Sequence, residues 1–138
     1  MFERIIVPLM LTDTLKKVNG RTRFQKLMFL IQKKTETDKT EGLDFKFEIY
    51  LYGPFSRELS SAIDDLVNKR YLEEGKTETG LGYTRYEYKL TEKGRHLLAY
   101  AKGKKLVSTS IQHAINEIAK DYGETALPEL VEKAYEEF

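Results

Sequence analysis

The chain has 138 residues, about one domain's worth, so a second independent core is not expected. Hydrophobic residues make up 41% and charged residues 33%, which sets aside a disordered chain. With 23 Lys+Arg against 22 Asp+Glu the net charge is +1, which argues against nucleic-acid binding through bulk positive charge, and the absence of cysteine excludes disulfides, thiolate catalysis and Cys-based zinc sites.

Stability must then come from packing. Nine Tyr and seven Phe, with no Trp, supply much of that core, since a buried aromatic removes roughly 150–250 Å² from water. The opening residues have no basic stretch followed by a long apolar run, and the longest apolar segment, Ile5 to Leu11, is far short of the ~20 residues that span a bilayer. A cytoplasmic protein without membrane contact is expected.

In chain order, Phe2, Ile5, Ile6, Leu9, Met10, Leu15 and Val18 fall near a helical repeat. They predict a first helix that Pro8 kinks or delays and Asn19-Gly20 stops. Thr22 is placed to cap a second helix, with Phe24, Leu27, Met28, Leu30 and Ile31 as its apolar stripe and Arg23, Lys26, Lys33 and Lys34 largely off it. Thr35 to Gly42 reads as a loop. Phe45, Phe47, Ile49 and Leu51 alternate with polar neighbours and predict a half-buried strand, ended by Tyr52-Gly53-Pro54-Phe55-Ser56.

Ser56 is the expected cap of a third helix, whose inner face is Leu59, Ala62, Ile63, Leu66 and Val67. A glycine-dotted segment from Tyr71 to Leu90 predicts two short strands and a loop. Thr91 is placed to cap a fourth helix carrying Leu97, Leu98 and Ala101, closed by Gly103. Two amphipathic helices follow. One carries Val107, Ile111, Ala114, Ile115, Ile118 and Tyr122, the other Leu127, Leu130, Val131, Ala134, Tyr135 and Phe138. The fold class is mainly α with a small antiparallel β element (α+β): a core over residues 1–103 and a helical extension over 104–138 that packs on the core or forms a dimer interface.

From the third helix onward, the Tyr71-Leu72 strand, the loop, the alternating strand and Tyr88-Lys89-Leu90-Thr91-Glu92-Lys93-Gly94 resemble the wing and exit helix of winged helix-turn-helix proteins such as the PadR and MarR regulators. Gly20-Arg21-Thr22-Arg23-Phe24-Gln25-Lys26-Leu27-Met28-Phe29-Leu30 with Tyr52-Gly53-Pro54-Phe55-Ser56 resembles the YwgA-type proteins and is similar in outline to Panacea antitoxin domains. The likeness covers about Gly20 to Leu98. It implies a winged-helix domain with DNA binding or partner neutralisation as its function, Ser56 to Arg70 as the recognition helix and Tyr71 to Leu90 as the wing. Each motif also has a plainer reading: Gly53-Pro54 as a turn, Gln25-Lys26 as helix surface.

A helix that reads bases needs exposed donors. Arg57, Ser60, Ser61 and Lys69 qualify, while Glu58, Asp64 and Asp65 repel phosphate. Residues 1–40 hold nine Lys+Arg and four Asp+Glu (+5), residues 41–103 ten and eleven (−1), and residues 104–138 four and seven (−3). The basic excess lies around Arg21, Arg23, Lys26, Lys33 and Lys34. Phosphate contacts from Arg21, Arg23 and Lys26, with Lys76 and Arg85 from the wing, complete the expected DNA-binding set.

Enzyme signatures are absent. His96 and His113 form no metal-ligand motif, Gly80-Leu81-Gly82 does not lead from a strand into a helix, and Asp64 and Asp65 point about 100° apart on a helix. No catalytic activity, metal or cofactor is expected. The first expectation is a dimeric transcriptional regulator that binds double-stranded DNA, and the second is a protein-interaction module on the same fold.

Overall fold

The computed structural model describes residues 2–37 and 42–138. It is an α+β protein with a three-stranded antiparallel sheet and a separate two-stranded one. Helix α1 (Glu3–Leu15) is buried on every side from Ile6 to Thr12, because α3, α4, α5 and strand β5 all pack against it. Pro8 lies inside α1 and neither delays nor ends it. Lys16, with a positive φ of 72°, ends the helix.

The expected stop at Asn19-Gly20 is not where α1 ends: the helix is over by Lys16, before Val18 is reached. Val18–Asn19 form a short strand, β1, that pairs with β5, Val18 opposite Tyr88 and Asn19 opposite Glu87. Helix α2 (Arg21–Thr37) then starts one residue before Thr22, since the N–H of Phe24 bonds the carbonyl of Gly20 at 3.2 Å. Thr22 is therefore inside the helix rather than its cap. The helix also runs through the start of the expected 35–42 loop to Thr37, and residues 38–41 of that loop lie outside the described residues.

The expected strand from Phe45 to Leu51 divides in two. Leu43 and Phe45 are buried on backbone that joins no ladder, and of the expected strand Glu48–Tyr50 form one, β2. It pairs with β3 (Gly53–Phe55), Ile49 opposite Pro54. Gly53-Pro54 belongs to the second strand of this hairpin, and Leu51-Tyr52 make its turn. Ile49 and Leu51, expected to be half-buried, are exposed.

Helix α3 (Arg57–Asn68) is capped as expected, the Ser56 hydroxyl accepting the N–H of Leu59. Strands β4 (Leu72–Glu78) and β5 (Thr84–Leu90) form an antiparallel hairpin, giving the sheet order β1-β5-β4. Thr91 caps α4 (Glu92–Gly103), and Ser108 caps α5 (Thr109–Tyr122). The last helix, α6 (Leu127–Glu137), packs with α5 on α2. Ile111, Ile115, Ile118, Leu130 and Ala134 join the same apolar cluster as α1 and α2, so the stripes of the C-terminal helices are largely spent within the chain. Leu127, Tyr135 and Phe138 are left outside it. Among the described residues no helix is long and apolar enough to cross a membrane.

Candidate functional site

The two sequence motifs meet in space. Residues 25, 28, 29 and 32 share one face of α2 by the i, i+3, i+4, i+7 rule, which puts Gln25 and Gln32 among Met28 and Phe29. Gln25 is 1% exposed, and its side-chain amide makes two bonds to one residue: Nε2 donates to the Ser56 carbonyl and Oε1 accepts the Ser56 N–H, both at 2.9 Å. Gln32, two turns on, does the same to Phe45, at 2.7 and 2.8 Å. A carboxamide offers a donor and an acceptor side by side like a peptide unit, so Gln32 and Gln25 pair with Phe45 and Ser56, on either side of the β2–β3 hairpin, as a neighbouring strand would.

Lys26 completes the latch. It is 2% exposed, and its ammonium donates to the Pro54 carbonyl at 2.8 Å. Gly53 has a positive φ of 92° and would place a Cβ 3.4 Å from Lys26 Cε and 3.6 Å from the Tyr135 ring, so the lysine chain runs beneath the turn where glycine leaves room. Burial lowers the Lys26 amine from the ordinary 10.5 to about 8. The reading of Gln25-Lys26 as helix surface is thus replaced by a buried role: the polar residues within the apolar stripe bind the Gly-Pro-Phe-Ser main chain.

This produces a pH effect of defined sign. The folded chain binds fewer protons than the unfolded chain between pH 8 and 10.5, so stability should rise through that window. From pH 7.5 to 9.5 the wild type should gain about 2 kcal/mol over Lys26→Met in urea unfolding. Parallel stability profiles for the two proteins would contradict it.

The latch holds a tip outward. Tyr50, Leu51 and Tyr52 are 55%, 78% and 65% exposed at the end of the β2–β3 hairpin. The Tyr135 hydroxyl of α6 donates to the Tyr50 carbonyl at 3.2 Å, a second tether. Between the tip and α2 lies a cleft of about 190 Å³ lined by Arg21, Thr22, Lys26, Tyr50, Tyr52 and Phe55 among others.

Most of the cations expected to meet phosphate are committed within the chain. Arg21 donates to the Tyr88 hydroxyl at 2.9 Å, to the Ser60 carbonyl and hydroxyl, and to Asp64 at 2.9 Å and Glu74 at 3.2 Å. Tyr88 in turn donates to Glu74 at 2.7 Å. Burial, with Glu74 as acceptor, pushes the Tyr88 phenol up to about 12, so it remains a donor. Arg23 donates to the carbonyls of Gly123 and Thr125 at the end of α5. Arg4 is held by Asp44 and Glu58, Lys17 by Glu87, and Lys34 by Glu117.

The expected DNA-binding set therefore separates into parts. Arg21 and Ser60 come together in one network, while Arg23 and Lys26 are built into the packing. Arg57 is exposed at the start of α3. Ser61 and Lys69 line a different cleft, about 620 Å³, with Phe2, Ile5 and Leu97. Lys76 lies over the Tyr86 ring at 5.8 Å, and Arg85 stands on the opposite strand, paired in register with Thr77. Sequence reasoning missed Gln32, Glu74 and Tyr88; the heptad spacing of Gln25 and Gln32 inside an apolar stripe was the available signal for the first. Among the described residues no three His, Cys, Asp or Glu converge to hold a metal. His113 contacts Glu117 at 2.6 Å along one helix face.

Fold and site together define an α+β protein in which one helix clamps an extended segment and presents an aromatic hairpin. Over 85 residues, 62% of its length, the chain is 40% identical to the uncharacterised protein YwgA of Bacillus subtilis (strain 168). It spans about half (48%) of that curated relative. The expected likeness to YwgA-type proteins is found in this match, and no family model matches the chain.

Proposed function

We propose that the chain is a winged-helix module that acts by binding another protein, with the β2–β3 tip as its docking element. The winged-helix part is supported by the order α1, β1, α2, α3, β4, β5 and by the short strand β1 closing the β4–β5 hairpin; β2 and β3 are then an insertion before α3. The observation that carries the protein-binding part is the tip itself, three adjacent large apolar or aromatic residues held in water by a buried hydrogen-bonded latch. Exposed aromatics on a rigid support are what binding hot spots are made of, because little ordering entropy remains to be lost on association. The charge distribution weighs the same way, since Arg21, Arg23 and Lys26 are engaged by groups of the chain itself.

The test compares wild type with the Tyr50→Ser, Leu51→Ser, Tyr52→Ser triple variant as bait in lysate of the source organism. The expected result is a stoichiometric protein partner that loses at least tenfold of its retention on the variant, whose melting temperature is unchanged. Retention that ignores the tip, or no partner at all, overturns the proposal.

A second reading is binding of double-stranded DNA by a dimeric regulator, favoured by the exposed Arg57 at the start of α3 and by Lys76 and Arg85 on the β4–β5 hairpin. Phosphate contacts are strongest at low salt. A mobility shift there that Arg57→Ala and Arg85→Ala both weaken would place this reading first, and its absence removes it.

A further inference from the structure

The cleft behind the tip holds a charge without a countercharge. The Lys26 ammonium has three N–H bonds and spends one on Pro54. No carboxylate of the described residues is ion-paired with it, and burial is what acts on its proton affinity. Arg21, five residues earlier on the same helix, differs: Asp64 and Glu74 both reach it. A desolvated ammonium with a single neutral acceptor is costly, and a carboxylate brought to it would make a charge-assisted bond in a site already shielded from water. The cleft it lines has room for one side chain, about 190 Å³, and aromatic walls in Tyr50, Tyr52 and Phe55.

We propose that this cleft receives an acidic side chain, aspartate or glutamate, from a partner protein, with its carboxylate bonded to Lys26 Nζ and the apolar residues flanking it lying on Tyr50, Leu51 and Tyr52. This rests on the protein-binding reading and names the partner's chemistry: an acidic residue set between apolar ones. The buried cation then acts as a specificity element. A partner segment with glutamine or lysine at that place leaves the ammonium unpaired or repelled, and is rejected.

The probes are three short peptides: acetyl-Leu-Glu-Leu-amide, its glutamine counterpart, and the glutamine peptide with a free C-terminal carboxylate. Binding is followed by amide chemical shifts of Gln25, Gly53 and Phe55 in the full chain. The glutamate peptide should bind at least tenfold more tightly than its glutamine counterpart. Its affinity should fall by up to tenfold per pH unit above about 8, where the free protein's Lys26 loses its proton. The other charged or titratable side chains around the amine are Arg21 on α2, Tyr50 and Tyr52 at the tip, and Tyr135 on α6.

Lys26→Met should lower affinity for the glutamate peptide to that of the glutamine one. The wild-type pH profile carries the test independently if that variant unfolds. Equal binding of the glutamate and glutamine peptides, preference for the free C-terminus, a flat profile between pH 7 and 9.5, or no binding overturns the proposal. Failure here with a tip-dependent partner still captured removes the acidic-residue assignment alone, whereas loss of tip dependence removes the protein-binding reading.

Discussion

Replacing Gly94 with alanine is expected to destabilise the protein by about 3 kcal/mol, although alanine is the better helix former by ~1 kcal/mol. Gly94 is buried in the first turn of α4, where a Cβ would stand 2.1 Å from the carbonyl oxygen of Tyr71 and 3.4 Å from Leu90. That carbonyl cannot give way cheaply. It already accepts the N–H of Thr91 and lies 3.2 Å from the Thr91 hydroxyl, which in turn accepts the N–H of Gly94. Moving it would open the junction of α3, β4 and α4 together. Gly103, at the other end of the helix, has nothing within 4 Å of its would-be Cβ. Gly103→Ala should change stability by less than about 1 kcal/mol. Urea unfolding of both variants checks the contrast; equal effects would mean that the close approach at Gly94 carries no energetic weight.

Gln25→Leu is the second large effect, an expected loss of about 3 kcal/mol at nearly constant volume. The substitution adds apolar surface to an apolar site, so transfer free energy alone would favour it. What decides against it is Ser56, fully buried, whose N–H bonds Gln25 and, among the described residues, has no other partner, while its carbonyl keeps the N–H of Ser60. A buried orphaned main-chain donor costs ~1–3 kcal/mol, and the loss of the second bond adds to it. Ser56 also caps α3, so the variant should loosen the start of that helix and the aromatic tip together. A stability loss below about 1 kcal/mol in chemical denaturation would show that the clamp is dispensable.

What could be read from the sequence, and what could not, follows from the range of the interactions. Local chemistry was legible: Ser56 and Thr91 cap their helices as the residue types require, and the 71–90 hairpin forms in the expected place. The two-residue strand β1 was not, since Val18-Asn19 has no strand signal of its own and exists because β5 offers it an edge. Alternation across Phe45 to Leu51 suggested one half-buried strand. The structure buries Phe45 through Gln32 and turns Ile49 and Leu51 to water, because the segment is satisfied by side chains of α2 on one half and by β3 on the other.

The candidate site was half legible. The pairing of Gln25-Lys26 with Gly53-Pro54 stood out as a signature, but its reason was invisible in one dimension. Composition marks lysine and glutamine as surface residues, and only the fold shows them buried against the main chain of Phe45, Pro54 and Ser56. The charge polarisation of +5, −1 and −3 along the chain misled in the same way. Cations clustered in sequence are dispersed in space, with Arg21 in the Tyr88 network, Arg23 at the end of α5 and Lys26 beneath the hairpin. Net charge by segment says nothing about which way a guanidinium points.

Gln25, Lys26 and Gln32 form one latch, in which a helix supplies hydrogen-bonding partners to the chain on either side of a hairpin and presents its aromatic tip rigidly. Amide hydrogen exchange at Ser56 tests it most directly, because that N–H belongs to no ladder and depends on Gln25. In the wild type it should exchange as slowly as the core amides of α2, and in Gln25→Leu it should speed up by at least a hundredfold. Wild-type exchange at Ser56 as fast as at the exposed Leu51 would contradict the latch.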